Sequence, residues 1–174
     1  MTAAGDASPL RFWDKRIAAW SVTVLAGEVY VTDADEYITT VLGSCVSTCV
    51  RDRATGAGGM NHLALPERAE LPRELATDNR RCLERLVDGV LAYGGRIEDL
   101  EIKVFGGGRV IAAKSDIGKL NIAAVRAYFL AAGIAIEVED VGGPVARRLR
   151  YHPRTGRAMV QRMTMRVPRP SELP

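Results

Sequence analysis

The stretch TTVLGSCVSTCV, residues 39–50, sets two of the chain's three cysteines four positions apart. In an extended chain Cys45, Ser47 and Cys49 point to one face. Four residues at roughly 3.3 Å each separate the two cysteine Cα atoms by about 13 Å, too far for a disulfide. Their roles must therefore differ. Cys49 is bracketed by Thr48 and Val50, where a thiol behaves as a small hydrophobe. Cys45 follows Gly43-Ser44, and a glycine there permits a sharp turn and close backbone approach. Consecutive N–H groups facing one point are also what a developing oxyanion requires. Cys45 is the candidate nucleophile, with Gly43 and Ser44 as its support.

A thiol nucleophile needs a base to raise its thiolate fraction near neutrality. The chain has two histidines. His152 lies in a turn beside Pro153, a solvated position. His62 sits within GGMNHLALP, in the strand that follows the Cys45 strand, and strands joined by a short turn can be neighbours. A Cys45–His62 dyad and a purely structural His62 both remain open on these residues alone. Zinc held by Cys45, Cys49 and His62 is a poor alternative, because the two sulfurs are too far apart for one ion with Zn–S bonds of about 2.3 Å. Gly106-Gly107-Gly108 lacks the Gly-Lys-Ser/Thr ending of a phosphate loop and reads as a structural turn. No cofactor and no metal is expected.

Several strands and two helices would position these groups. SVTVLAGEVYVTD clusters β-branched residues around an Ala-Gly turn, which predicts a hairpin. Short strands are expected at Ile38–Val41 and Cys45–Val50, then an apolar run from Gly59 to Leu65 closed by Pro66. A helix is expected from about Thr77–Asp78, good capping residues, to about Tyr93. Its stripe contains Cys82, Leu83, Leu86, Val87, Val90 and Leu91, so Cys82 is core filler. Ile102–Phe105 reads as a buried strand, Ile117–Ala132 as a second helix ended by Gly133, and Ile134–Val138 as a strand. Arg148–Tyr151 and Arg157–Val167 follow, joined by a His-Pro-Arg-Thr-Gly turn. Strands come in runs more often than they alternate with helices. The expected class is α/β of the α+β type: a mixed, mainly antiparallel sheet sandwich with helices on the outside.

The domain expected on this reading spans residues 21–167, after an extension (1–20) of uncertain order and before a proline-marked tail (168–174). Trp13 and Trp20 are expected to anchor the extension to the domain. Net charge is +3, which decides little. From Arg147 to Arg169 there are eight arginines and no acid. That run is either a solvated face or a surface for an acidic partner. Without aromatic interleaving, zinc spacing or a helix-turn-helix pattern, no nucleic-acid partner is expected. No apolar run reaches membrane-spanning length, and the first residues lack the layout of a secretion signal, so no membrane insertion is expected. An odd cysteine count without framework spacing suits a reducing cytoplasm.

The blocks Thr39-Thr40-Val41-Leu42-Gly43-Ser44-Cys45, Gly59-Met60-Asn61-His62 and Leu65-Pro66 resemble the chemoreceptor glutamine deamidase family, CheD. The resemblance continues through Lys103-Val104-Phe105-Gly106-Gly107, Ile117-Gly118, Asn121-Ile122, Gly142-Gly143 and Thr155-Gly156, covering about residues 22–163 in order. It implies a cytoplasmic enzyme that hydrolyses particular glutamine side chains of chemoreceptors (methyl-accepting chemotaxis proteins) to glutamate, releasing ammonia. It also implies an α/β sandwich like that of bacterial deamidating toxins. On this resemblance Cys45 is the nucleophile, His62 the base and Thr39 the threonine that holds the imidazole. The partners implied are the chemoreceptor cytoplasmic helical domains, whose acidic bundles the arginine run would help to dock, and a CheC-type phosphatase. Val41 stands where members often carry glycine, and Leu120 where they commonly carry arginine. Two other functions stay open: a cysteine hydrolase with a different protein substrate, and a non-enzymatic regulator of a response-regulator phosphatase.

Overall fold

The computed structural model describes residues 10–64, 73–110 and 116–163, with the side chains of 73–78 left out. The strands are β1 (Leu10–Asp14), β2 (Ala19–Thr23), β3 (Val29–Thr32), β4 (Tyr37–Leu42), β5 (Val46–Asp52), β6 (Gly58–Asn61), β7 (Leu100–Gly106), β8 (Val138–Val141), β9 (Ala146–His152) and β10 (Arg157–Met163). The helices are α1 (Arg73–Leu91) and α2 (Ile117–Ala132), with one short 3₁₀ turn at Ile97–Asp99. The first sheet runs β1-β2-β4-β9-β10 and the second β3-β6-β5-β7-β8. Only β2–β4 and β7–β8 pair in parallel. This is the expected mixed, mainly antiparallel sandwich.

Two apolar layers hold it. Val24, Ile38, Leu42, Cys49, Met60, Phe105, Leu149 and Tyr151 pack between the sheets. Val46, Val50, Leu83, Leu86, Val104, Val125 and Phe129 pack between the second sheet and both helices. Strand β5 lies at the centre of the second sheet with both faces covered, so almost all of it is buried. Cys49 therefore points into the first layer, while Val46 and Val50 point into the second. Cys82 is buried in the helix layer, as its place on the stripe requires.

Helix α2 has the expected ends: Asp116 Oδ1 accepts the Lys119 N–H at 3.1 Å, and Gly133 closes the helix at φ 69°. Helix α1 begins four residues before Thr77. Arg73-Glu74-Leu75-Ala76 are good helix formers with no breaker among them, so an internal Thr-Asp pair does not start the helix. Residues 134–137 are not a strand. Ile134 N–H closes the end of α2 on the Phe129 carbonyl at 3.0 Å, and β8 starts only at Val138.

One further expectation is overturned. The Ala26-Gly27 turn does not join a hairpin, because β2 belongs to the first sheet and β3 to the second. Periodicity specifies that both segments are extended but not which strand each one pairs with. Within the extension of uncertain order the structure places strand: β1 and β2 pair antiparallel from Leu10↔Thr23 to Asp14↔Ala19. Trp13 and Trp20 stack edge to face across that pair at 5.6 Å, both substantially exposed, with the Arg11 guanidinium 4.2 Å from the Trp20 ring centroid. They anchor each other and do not enter the core.

Much of the arginine run is neutralised within the fold. Arg147, 3% exposed, pairs with Asp140 at 3.0 Å; Arg162 shares that carboxylate at 3.1 Å, and Arg150 meets Asp14 at 3.1 Å. Arg166 and Arg169, like residues 1–9 and 168–174, lie outside the described residues. No helix among the described residues is long and apolar enough to cross a membrane.

Candidate active site

The loop Gly43-Ser44-Cys45 carries the chain from β4 in the first sheet to β5 in the second. All three of its carbonyls are held from behind. Gly108 N–H donates to Gly43 O at 2.8 Å, Asn121 Nδ2 to Ser44 O at 3.1 Å, and Gly107 N–H to Cys45 O at 2.7 Å. The Gly106–Gly108 turn is thus structural, as its sequence indicated, and its task is to cradle the cysteine loop. Close approach explains its glycines: a Cβ on Gly106 would lie 2.3 Å from Cys45 O. Gly43 has no unusual φ, and a Cβ placed there would crowd only Val110, at 3.1 Å. Val41 projects from the outer face, half exposed, away from the cleft.

Val46 and Leu63 exchange backbone hydrogen bonds at 3.0 and 2.8 Å, and the same register pairs Cys49 with Met60. Cys45 is therefore opposite Ala64 and diagonal to His62. Diagonal pairs on one face have Cα atoms about 7–8 Å apart, a span that a thiol and an imidazole reaching toward each other can close. Both side chains lie on the inter-sheet face: Cys45 packs against the inter-sheet core, and the His62 ring meets β4 of the opposite sheet. Cys45 is partly exposed and His62 buried.

The ring's protonation can be worked out from its neighbours. His62 Nδ1 is 2.8 Å from Thr40 Oγ1 and 3.3 Å from Val24 O. Thr40 Oγ1 is itself 2.7 Å from Val24 O, and a carbonyl only accepts. The single hydroxyl proton is committed there, so Thr40 can only accept from the ring. Nδ1 carries the hydrogen, and Nε2 is left bare as a base. The turn after β2 fixes the histidine backbone as well, since Gly27 N–H donates to His62 O at 2.8 Å and His62 N–H to Glu28 O at 3.1 Å.

Thr39 is not the residue that holds the ring. Strand β4 alternates, with Ile38, Thr40 and Leu42 turned inward and Thr39 and Val41 outward. The Thr39 hydroxyl donates to Leu149 O at 3.0 Å on the outer face. The sequence held a signal for Thr40: it is the one polar residue on the apolar side of an alternating strand. Asn121 and Val24 had no such signal, because the contacts that matter come from distant elements.

Burial pushes the Cys45 thiol up from its usual value, with its own backbone N–H pulling it partly back. Burial lowers His62, partly offset by the Val24 carbonyl and Glu28. Burial raises Cys49 far more strongly, leaving it inert. Both shifts favour the neutral forms, a thiol at Cys45 and an imidazole at His62. The other histidine, His152, lies 3.0 Å from Asp35 and stacks edge to face on Tyr37, with no part in this site.

Comparison with known proteins agrees with the sequence blocks. The family profile described as CheD chemotactic sensory transduction matches residues 66–162. The chain is 43% identical over 161 residues to the "Probable chemoreceptor glutamine deamidase CheD" of Halorhodospira halophila, covering 88% of this chain and 74% of the relative. The protein of the same name from Cupriavidus metallidurans is 44% identical over 161 residues (88% and 73%), and that from Hahella chejuensis 42% over 158 residues (88% and 75%). The profile match starts beyond Cys45 and His62, whereas an alignment over 88% of the chain cannot omit them. The chain belongs to the CheD family.

Proposed function

We propose that this protein hydrolyses the side-chain amides of chemoreceptor glutamines to glutamate, with Cys45 as nucleophile and His62 as its base. The observation that supports the reading is the Nδ1–H tautomer imposed by Thr40 and Val24, which leaves Nε2 without a hydrogen on a ring whose backbone lies on the cross-strand diagonal from Cys45. His62 Nε2 takes the Cys45 proton, and the thiolate attacks the carboxamide carbon. The carbonyl π bond opens to an oxyanion, stabilised by backbone N–H groups of the 43–45 loop. Nε2–H then gives its proton to the departing nitrogen, so that ammonia leaves and a thioester remains. The same nitrogen deprotonates a water, which attacks the thioester carbon. Collapse expels the Cys45 sulfur, which regains its proton, and releases glutamate. Thr40, not Thr39, steadies the ring as it becomes cationic.

On this reading the enzyme works in the cytoplasm on receptor helical domains. Each turnover adds one negative charge to a helical bundle and creates a carboxylate that can be methylated, altering the balance between signalling states. A CheC-type phosphatase is the second proposed partner, to be tested by pull-down with the purified chain. The deciding experiment incubates receptor cytoplasmic fragments with wild-type protein and Cys45→Ala in parallel. Ammonia release and mass spectrometry should show glutamine converted to glutamate by the wild type alone. Unchanged glutamines across several cognate receptors would reject the assignment, and equal conversion by both proteins would reject Cys45.

A further inference from the structure

We propose that Asn121 is a positioning residue that aims the Cys45 N–H at the oxyanion through the Ser44 carbonyl. The inference rests on the cysteine chemistry above. A trans peptide unit is planar, and its C=O and N–H point in opposite directions. A donor that fixes Ser44 O therefore fixes the Cys45 N–H, and one that fixes Gly43 O fixes the Ser44 N–H. Gly108 serves the second peptide with its backbone, whereas the first depends on one side chain, the Asn121 amide at 3.1 Å. The N–H groups of Ser44 and Cys45 donate to no acceptor among the described residues. They are thus available to a substrate oxygen.

The strut is rigid. Asn121 is fully buried in the second turn of α2, and its Oδ1 is buried without a partner among the described residues. An apolar residue would avoid leaving that oxygen unpaired, so the amide is retained for what its nitrogen does. The helix end is seated on the cradle itself: a Cβ on Gly118 would lie 2.3 Å from Gly107 O, and one on Gly107 would lie 2.6 Å from Ile122. Helix α2 thus supports the loop through both Gly107 and Asn121.

The test compares two reagents on the same thiol. A blocked glutamine analogue whose carboxamide is replaced by an aldehyde adds the thiol across its C=O. The S–C bond forms, the π bond opens, and the oxygen takes the position of the oxyanion before gaining a proton. Iodoacetamide is attacked at carbon with loss of iodide and builds no oxyanion. In Asn121→Ala and Asn121→Ser the aldehyde should bind about 10- to 100-fold more weakly, less than or equal to the loss of a whole oxyanion donor. Iodoacetamide should alkylate Cys45 within about twofold of the wild-type rate, and kcat on receptor should fall with KM retained. Equal losses toward both reagents, undiminished aldehyde binding, or failure of both variants to fold would overturn the proposal. Neither reagent needs the receptor, so a wild type that binds aldehyde but spares every receptor glutamine refutes only the substrate assignment.

Discussion

Replacing Thr40 by valine keeps the shape of the side chain and removes both of its hydrogen bonds. The ring proton then loses its 2.8 Å acceptor and keeps only Val24 O at 3.3 Å, beyond the usual N–H···O range. His62 is cationic once it holds the thiol proton, and a hydrogen bond to a charged group is worth about 1.5–3 kcal/mol. Val24 retains part of that, so about 1–2 kcal/mol of transition-state stabilisation goes, a fall in kcat of about 5- to 30-fold. Stability should drop by about 1 kcal/mol, or about 2–4 °C in Tm for a domain of this length. Thr39→Val is the matched control. It removes the 3.0 Å bond to Leu149 O on the outer face and should cost similar stability, with kcat within about twofold of wild type. The assay is ammonia release from a receptor fragment, with a thermal melt for each variant. A Thr39→Val enzyme slower than Thr40→Val, or a Thr40→Val enzyme as fast as wild type, would refute the assignment of the ring's partner.

Two further outcomes are expected. The reaction needs one proton shared between Cys45 and His62, so kcat/KM should be flat across neutral pH. It should fall on the acid side below the usual imidazole value of 6.5, as the buried ring gains a second proton for the pair. On the alkaline side it should fall above the usual thiol value of 9.0, as that shared proton is lost; an alkaline limb below 9.0, where a cationic imidazole would give up its proton, would mean a preformed ion pair and contradict the neutral resting state. Gly118→Ala sets a methyl against Gly107 O, so α2 must move off the cradle; about 1–3 kcal/mol of stability should be lost together with activity, read by melting and turnover.

The sequence was most informative where one segment determines its own state. Helix α2 has its cap, stripe and stop within nineteen residues of chain, from Asp116 to Ile134, and each end was legible. It was least informative where a segment's neighbour decides. Val22 and Val31 both read as strand, yet they belong to different sheets, and only the packed sandwich shows that the turn between them bonds to His62. The site divides in the same way. Cys45 and His62, the proposed nucleophile and base, could be nominated from sequence because few residue types can attack an amide and few can serve as base. Their supports were not, since Val24, Gly107, Gly108 and Asn121 act through backbone groups or one amide supplied from three separate parts of the fold. Thr39 marks the boundary between the two cases. Matching a block of residues locates a threonine to within one position, but on a strand one position reverses the face. Parity in β4 then decides: Ile38 and Leu42 are buried, so the hydroxyl that can reach the imidazole belongs to Thr40.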